Sequence, residues 1–370
     1  MMERNEDFSR LEISLPACLE NYRYFRSKLE TSTKLLVLVK ANAYGHGAVE
    51  FASLMEGAGA DYLAVAYPVE GVELREAGIR TPIMVLTAGT DFFNEIIDYG
   101  LEPGIPNLSS LKVLCDVLKK RGVADFPVHI KLDTGMHRLG FMTEEMASLT
   151  EFLSECSEVK VKSVYSHLAA ADDPENDEFT VGQAELFMRN ADLLTSALGY
   201  KPLYHLLNSA GIERFPQYQF DMVRLGIGIY GVSAIPGNKL SPVASFKCKV
   251  LQIKTLNPGD GTIGYGRHGR IAKEGTTLAT IPVGYADGID RHLSCGRGCF
   301  TINGKRVPTI GNICMDMCML DVTGLDVQVG DTVTIFGEDP SITELADILG
   351  TIPYEILTSV PRRIERVIIK

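Results

Sequence analysis

The stretch LLVLVKANAYGHG, residues 35–47, decides how the chain is read. Its first five residues are all apolar, the signature of a short strand buried on both faces. Lys40 ends the run, and Asn42, Tyr44, Gly45, His46 and Gly47 follow at once. AVEFASLMEGAG, residues 48–59, then has the spacing of a helix. The unit is strand, turn, helix, with an ammonium at the mouth of the strand.

The same unit recurs along the first two thirds of the chain. Buried-strand candidates are KLLVLVK, YLAVAY, PIMVLT, a weak LEPGI, PVHIKLD, VKSVYSHL, LYHLLNS and MVRLGIGIYG. Helical stretches over 46–58, 68–78, 92–99, 108–121, 143–156, 178–198 and a short 210–214 separate them. Eight strands alternating with helices predict an α/β fold with an N-terminal (β/α)8, TIM-type barrel. An open doubly wound sheet is the alternative, weakened because no G-x-G-x-x-G follows the first strand. After SAIPGNKLSP the texture changes to short strands and glycine turns, with a hairpin signal at INGK. This predicts a C-terminal mostly-β domain over 243–370, with the barrel over 1–242.

Composition narrows the function. The chain has 370 residues, 45% of them hydrophobic, and a formal net charge of −11 without any block of basic residues. A nucleic-acid surface is not expected. No apolar run reaches the roughly 20 residues of a membrane span. The start, MMERNEDFSRLEISL, lacks the apolar core of a signal peptide, so a cytoplasmic location is expected. Eight scattered cysteines suit thiols in a reducing compartment. The pairs Cys295/Cys299 and Cys314/Cys318 have a C-x3-C spacing, but the second sits in a strand-like alternation, and no metal site is expected.

The unusual polar residues gather at strand ends: Lys40 after the first strand, Asp133 and Arg138 after the fifth, His167 at the sixth. Asn208 and Ser209 end the seventh, and Arg224, Gly226 and Ile227 lie at the eighth. In a barrel these share the C-terminal rim, where such folds build active sites and the last two loops bind phosphate. A rim lysine beside a phosphate site suggests a Schiff base to pyridoxal 5'-phosphate. For Lys40 alone, a lysine whose amine simply reaches solvent is the favoured reading, and Arg224 alone could pair with nearby Asp221.

Beyond single residues, VKANAYGHG resembles the lysine signature of the alanine racemase family. The likeness continues through KLDTGMHRLGF, YSHLAAAD, HLLNSAG, VRLGIGIYG, GYGR, PVGYADGIDR and IGNICMDM, in order and across nearly the whole chain. The resemblance implies that Lys40 holds the cofactor and acts as one base, while Tyr265 is the second base, supplied by the other subunit of a homodimer. A free phenol, with a pKa near ~10, needs help to act as a base at neutral pH; the resemblance assigns that help to His167 and Arg224. It further places Arg224 on the pyridine nitrogen, and Tyr44, Asn208, Ser209, Gly226, Ile227 and Tyr354 around the cofactor. Arg138, the Met315 N–H and Tyr285 would meet the substrate. Arg291 and Asp316 would support them, and Lys131 matches a position carbamylated in some members. Leu225 stands where proline or alanine is familiar. The implied reaction is interconversion of L- and D-alanine for peptidoglycan, with a racemase for serine or a broader set of small amino acids as the alternative. A related barrel-plus-β decarboxylase would need an acidic group where Arg224 stands. A single-domain barrel of cofactor homeostasis would lack residues 243–370.

Overall fold

The computed structural model describes residues 8–370; part of the charged start lies outside them. Strand β1 (Ser9–Ser14) and helix α1 (Leu15–Ser27) precede the barrel. The barrel strands are β2 (Lys34–Leu38), β3 (Tyr62–Val65), β4 (Ile83–Val85), β5 (Glu102–Ile105), β6 (Phe126–Lys131), β7 (Val159–Tyr165), β8 (Leu203–His205) and β9 (Met222–Leu225). All pair in parallel in chain order, and β9 closes onto β2, with Leu36 opposite Arg224. The expected closed barrel is therefore the fold, and the open sheet is not. Helices α2 (Ala48–Gly57), α3 (Pro68–Glu76), α4 (Phe93–Asp98), α5 (Leu108–Arg121), α6 (Met146–Glu155), α7 (Asp177–Leu198) and α8 (Ser209–Arg214) alternate with the strands.

The weak LEPGI signal has a packing cause. A Cβ on Gly104 would stand 2.6 Å from the Tyr165 hydroxyl and 3.2 Å from the Val85 carbonyl. The glycine yields space inside the barrel to a tyrosine of β7, and so dilutes the strand pattern.

The later chain is mostly β. Strands β10 (Ala244–Lys249), β11 (Gln252–Leu256), β12 (Thr262–Ile263), β13 (Gly269–Arg270), β14 (Thr276–Ile281), β15 (Cys299–Ile302), β16 (Lys305–Pro308), β17 (Cys318–Asp321), β18 (Thr332–Phe336) and β19 (Glu365–Ile369) carry it. They are joined by helices α9 (Ile342–Leu349) and α10 (Pro353–Thr358). INGK is the β15–β16 turn, with Asn303 and Gly304 both at positive φ, as a two-residue hairpin requires.

The sequence reading missed β1, although Leu11 and Ile13 alternate inward against Arg10 and Glu12. This strand, inside the range 1–242 assigned to the barrel, lies in the six-stranded sheet of the later chain. It is antiparallel to β10 and parallel to β19. Helix α1 then crosses back to the barrel. Its Phe25 packs where a Cβ on Gly228 would stand 2.3 Å away, and its Asn21 amide donates to the Ile229 and Ser241 carbonyls. The turn after β9 is thus braced from below.

Among the described residues, no helix is long and apolar enough to cross a membrane.

Candidate active site

Lys40 opens a turn of unusual hand. Ala41, Asn42, Ala43 and Tyr44 all have φ between 51° and 55°. The Ala43 N–H donates to the Val39 carbonyl and the Gly45 N–H to that of Ala41, giving one left-handed helical turn. For L residues this hand costs about 1–2 kcal/mol each, so the surroundings must hold it. Glu70 of α3 accepts from the Ala41 N–H and, through its other oxygen, from those of Ala66 and Tyr67. Asn42 Oδ1 accepts from Ala48 at the start of α2. Arg366 donates to the Gly45 carbonyl at 2.9 Å. Tyr44 stacks on Tyr230, with ring centroids 4.5 Å apart. Strain maintained by so many contacts is characteristic of functional sites.

Gly45 closes the turn at φ +88°, and a Cβ there would stand 2.6 Å from the Leu357 carbonyl of α10. Gly45→Ala is expected to cost at least about 2 kcal/mol, from the hand of the backbone and from this overlap. It should displace α10 together with Tyr354. A lowered melting temperature and a loosened α10 in amide exchange check it; a wild-type melting curve and exchange pattern would refute it.

Next to the turn lies a built cradle. Ser209 Oγ accepts from the Gly226 N–H at 2.9 Å and the Gly228 N–H at 3.1 Å. Both lone pairs of the hydroxyl are spent, so its hydrogen points outward as a donor. Asn208 Oδ1 caps α8 through the Gly211 N–H, and its amide reaches the Leu168 carbonyl, so its side chain positions Ser209. Ile227 opens a short helical turn, where its N–H has no partner within the turn. The Tyr44 hydroxyl lies 3.1 Å from where a Cβ on Gly226 would stand. Tyr354 of α10 tilts against Tyr44 at 5.8 Å. Neither hydroxyl is bonded among the described residues. Burial, and then Asp172, raises the Tyr354 phenol to about 12. Burial raises Tyr44 as well, so both remain donors. The Ser209, Tyr44 and Tyr354 hydroxyls are thus each free to donate a hydrogen bond at this place.

The rest of the rim is cationic. Burial and then the Arg138 charge lower the Lys40 ammonium, with Glu70 opposing. Lys131 falls to about 8 for the same first reasons, with Arg224 adding to them. Arg224 is buried, and burial lowers it to about 10, so it is charged at neutral pH. Its guanidinium donates to the Ser166, His205 and Leu206 carbonyls, to His205 Nδ1, and to His167 Nδ1 at 3.3 Å. Asp221 instead pairs with Lys201 and accepts from the Tyr204 N–H. Burial, followed by Arg224, Lys131, Arg138 and Lys40, holds His167 well below the imidazole range. His167 is neutral, with Nδ1 accepting and Nε2 carrying the hydrogen. Asp133 shapes the loop that presents Arg138 by accepting from the Gly135 and His137 N–H groups. Arg138 is exposed and unpaired among the described residues.

The remaining candidates form a separate group in the β region. Tyr285 and Met315 are neighbours: the Tyr285 N–H donates to the Cys314 carbonyl and that of Ala286 to the Met315 carbonyl. A Cβ on Gly284 would stand 2.2 Å from the Cys314 carbonyl. Arg363 bridges Asp316 and Asp287. Tyr265 stands in a glycine-flanked turn, its carbonyl held by the Asn312 amide. It is 72% exposed, and Met315 is 54% exposed. Arg291 is exposed and unpaired among the described residues.

Residues 13–234 match the family model for the alanine racemase N-terminal domain, and residues 243–368 that for its C-terminal domain. The chain belongs to the alanine racemase family. It is 39% identical to the alanine racemase of Synechocystis sp., over 97% of this chain and 98% of that protein. It is 38% identical to that of Thermodesulfovibrio yellowstonii, over 97% of each. Among solved structures, the alanine racemase of Clostridium difficile 630 superposes with a TM-score of 0.89 at 34% identity, covering 98% of this chain and 95% of that one. The alanine racemase of Bartonella henselae, solved with covalently bound pyridoxal phosphate, superposes with a TM-score of 0.88 at 30% identity, covering 98% and 99%.

Three residues that shape this racemase-family site escaped the sequence reading. Glu70 holds the lysine turn, and its signal was a carboxylate three residues after Tyr67 at a helix start. His205 meets Arg224 from the end of β8, and Tyr165 stacks on it at 5.1 Å. Leu225, the departure from the family pattern, is buried and points among core residues.

Proposed function

We propose that the chain interconverts L- and D-alanine with pyridoxal 5'-phosphate, supplying D-alanine for a bacterial wall from the cytoplasm. The observation that carries this is the meeting, on one barrel rim, of a partly buried lysine, a charged buried arginine and a cradle of hydrogen-bond donors. The residues fit the cofactor. Ser209, Tyr44, Tyr354 and the Gly226–Ile227 turn would hold its phosphate, Lys40 its aldehyde carbon and Arg224 its ring nitrogen. When bound, the cofactor supplies an electron sink that acidifies the proton on the substrate α-carbon.

The chain's own groups do the rest. The Arg224 guanidinium does not release its proton near neutral pH, so it would offer the ring nitrogen a hydrogen bond and leave it unprotonated. Lys40 Nζ, with its ammonium destabilised by burial and Arg138, takes up a proton on one face of the α-carbon. Tyr265 of the partner subunit returns one on the other face, and the His167 Nε2 hydrogen, oriented by Arg224, is available to its oxygen. The exposed Tyr265, Tyr285 and Met315 support a homodimer that covers this face. Arg138 and the Met315 N–H would hold the substrate carboxylate. Lys131, with its depressed amine, would carry a carbamate and orient Arg138. Tyr285 and Tyr354 would limit the side chain to about a methyl group.

Initial rates of racemisation over a panel of L-amino acids test the reading. Alanine is expected to be fastest. Serine should be slower by on the order of 100-fold, since an apolar pocket discriminates weakly against one hydroxyl. Lysine should not react measurably. Serine turned over as fast as alanine would sink the alanine reading in favour of a broader racemase.

A further inference from the structure

Arg224 is a buried cation with no carboxylate in contact among the described residues; its acceptors are carbonyls and two imidazoles. A buried charge without a counter-charge is costly. A continuous chain of hydrogen bonds leads from it to one. His205 Nε2 lies 2.8 Å from Ser163 Oγ. Ser163 Oγ lies 2.6 Å from His129 Nδ1, and His129 Nε2 lies 2.9 Å from Glu102 Oε2. His129, Ser163 and His205 are fully buried within the barrel. Glu102 sits at the start of β5, its side chain 14% exposed, and after burial its charge is the next cause that raises the Tyr62 phenol.

The direction of every bond follows from the two ends. A carboxylate only accepts, so His129 Nε2 carries the hydrogen and, in the neutral ring, Nδ1 accepts from the serine. The serine oxygen then accepts from His205 Nε2–H, which leaves His205 Nδ1 bare for Arg224. Starting from Arg224, which only donates, gives the same assignment. Burial and the Arg224 charge keep His205 neutral, as the assignment requires. Bonds aligned head to tail polarise one another, so electron density from Glu102 is passed to His205 Nδ1.

We propose that Glu102 is a positioning residue for the site: through His129, Ser163 and His205 it supplies the counter-charge that holds the Arg224 guanidinium as a charged donor. The inference rests on the reading of Arg224 as the group that meets the cofactor nitrogen. Among the described residues, none of the four relay side chains is hydrogen-bonded to the cradle or the lysine turn.

Two variants of the full-length protein, loaded with pyridoxal phosphate and also without it, test the idea. Glu102→Gln removes the charge but keeps an acceptor for His129, while Ser163→Ala breaks the relay in its middle. Nitrogen-15 NMR of the histidine and arginine side chains is the first readout. Both variants are expected to shift the His205 Nδ1 signal and to speed exchange of the Arg224 N–H hydrogens with solvent. Each should lower kcat about three- to tenfold with KM little changed, and the double variant should do no more than either alone. Unmoved His205 and Arg224 signals would overturn the relay. Moved signals with an unchanged kcat would overturn Glu102 as a positioning residue. Arg224→Lys is the separate control on the cofactor reading. An unaltered cofactor absorption band in that variant would remove Arg224 from the ring nitrogen, while the NMR result on the relay would stand.

Discussion

Lys40→Ala is expected to leave a folded protein that fixes no pyridoxal phosphate on borohydride treatment and racemises alanine at least about 10⁴-fold more slowly. The size of the loss follows from two roles lost together, attachment of the cofactor and proton transfer on one face. Folding should survive. The Lys40 side chain makes no hydrogen bond or ion pair among the described residues, and its burial disfavours its own charge. Mass spectrometry of the reduced, digested wild-type protein should place the cofactor on the peptide that contains Lys40. A reduced adduct on another lysine, Lys131 included, would make the central assignment wrong. A Lys40→Ala protein that retained the rate would do the same.

Lys40→Ala and Tyr265→Ala homodimers are both expected to be nearly inactive, and mixing them should restore activity. With free exchange of subunits, half the dimers are mixed. In each mixed dimer one site has both bases and the other has neither, so about a quarter of the wild-type rate should return. The expectation comes from the placement of Tyr265. In its own chain it stands 72% exposed, held through its carbonyl by Asn312, and bonded to none of Lys40, His167 or Arg224. A phenol so exposed can serve a water-excluded site only once another surface covers it. Native mass spectrometry should confirm the mixed dimers. Mixed dimers without activity would mean that Tyr265 serves its own chain or takes no part in proton transfer.

The sequence by itself determined the periodic part of this protein. Uninterrupted apolar runs fix parallel strands buried on both faces, and the helical spacing between them fixes the barrel. A run such as LLVLV can end in only one place, so the rim position of Lys40, Arg224 and Ser209 follows from the strands. The hairpin at Asn303–Gly304 is as local, because its two positive φ angles suit those two residues. What only the tertiary structure decided are features whose cause lies elsewhere in the chain. Four L residues accept the left-handed turn after Lys40 because Glu70, Arg366 and Tyr230 hold them there. Strand β1 alternates legibly, but its partners β10 and β19 are more than 200 residues away. The line from Glu102 to Arg224 gathers one residue each from β5, β6, β7, β8 and β9. No spacing along a sequence encodes it, because barrel closure brings those strands side by side, and the low dielectric within favours pairing of their few polar groups.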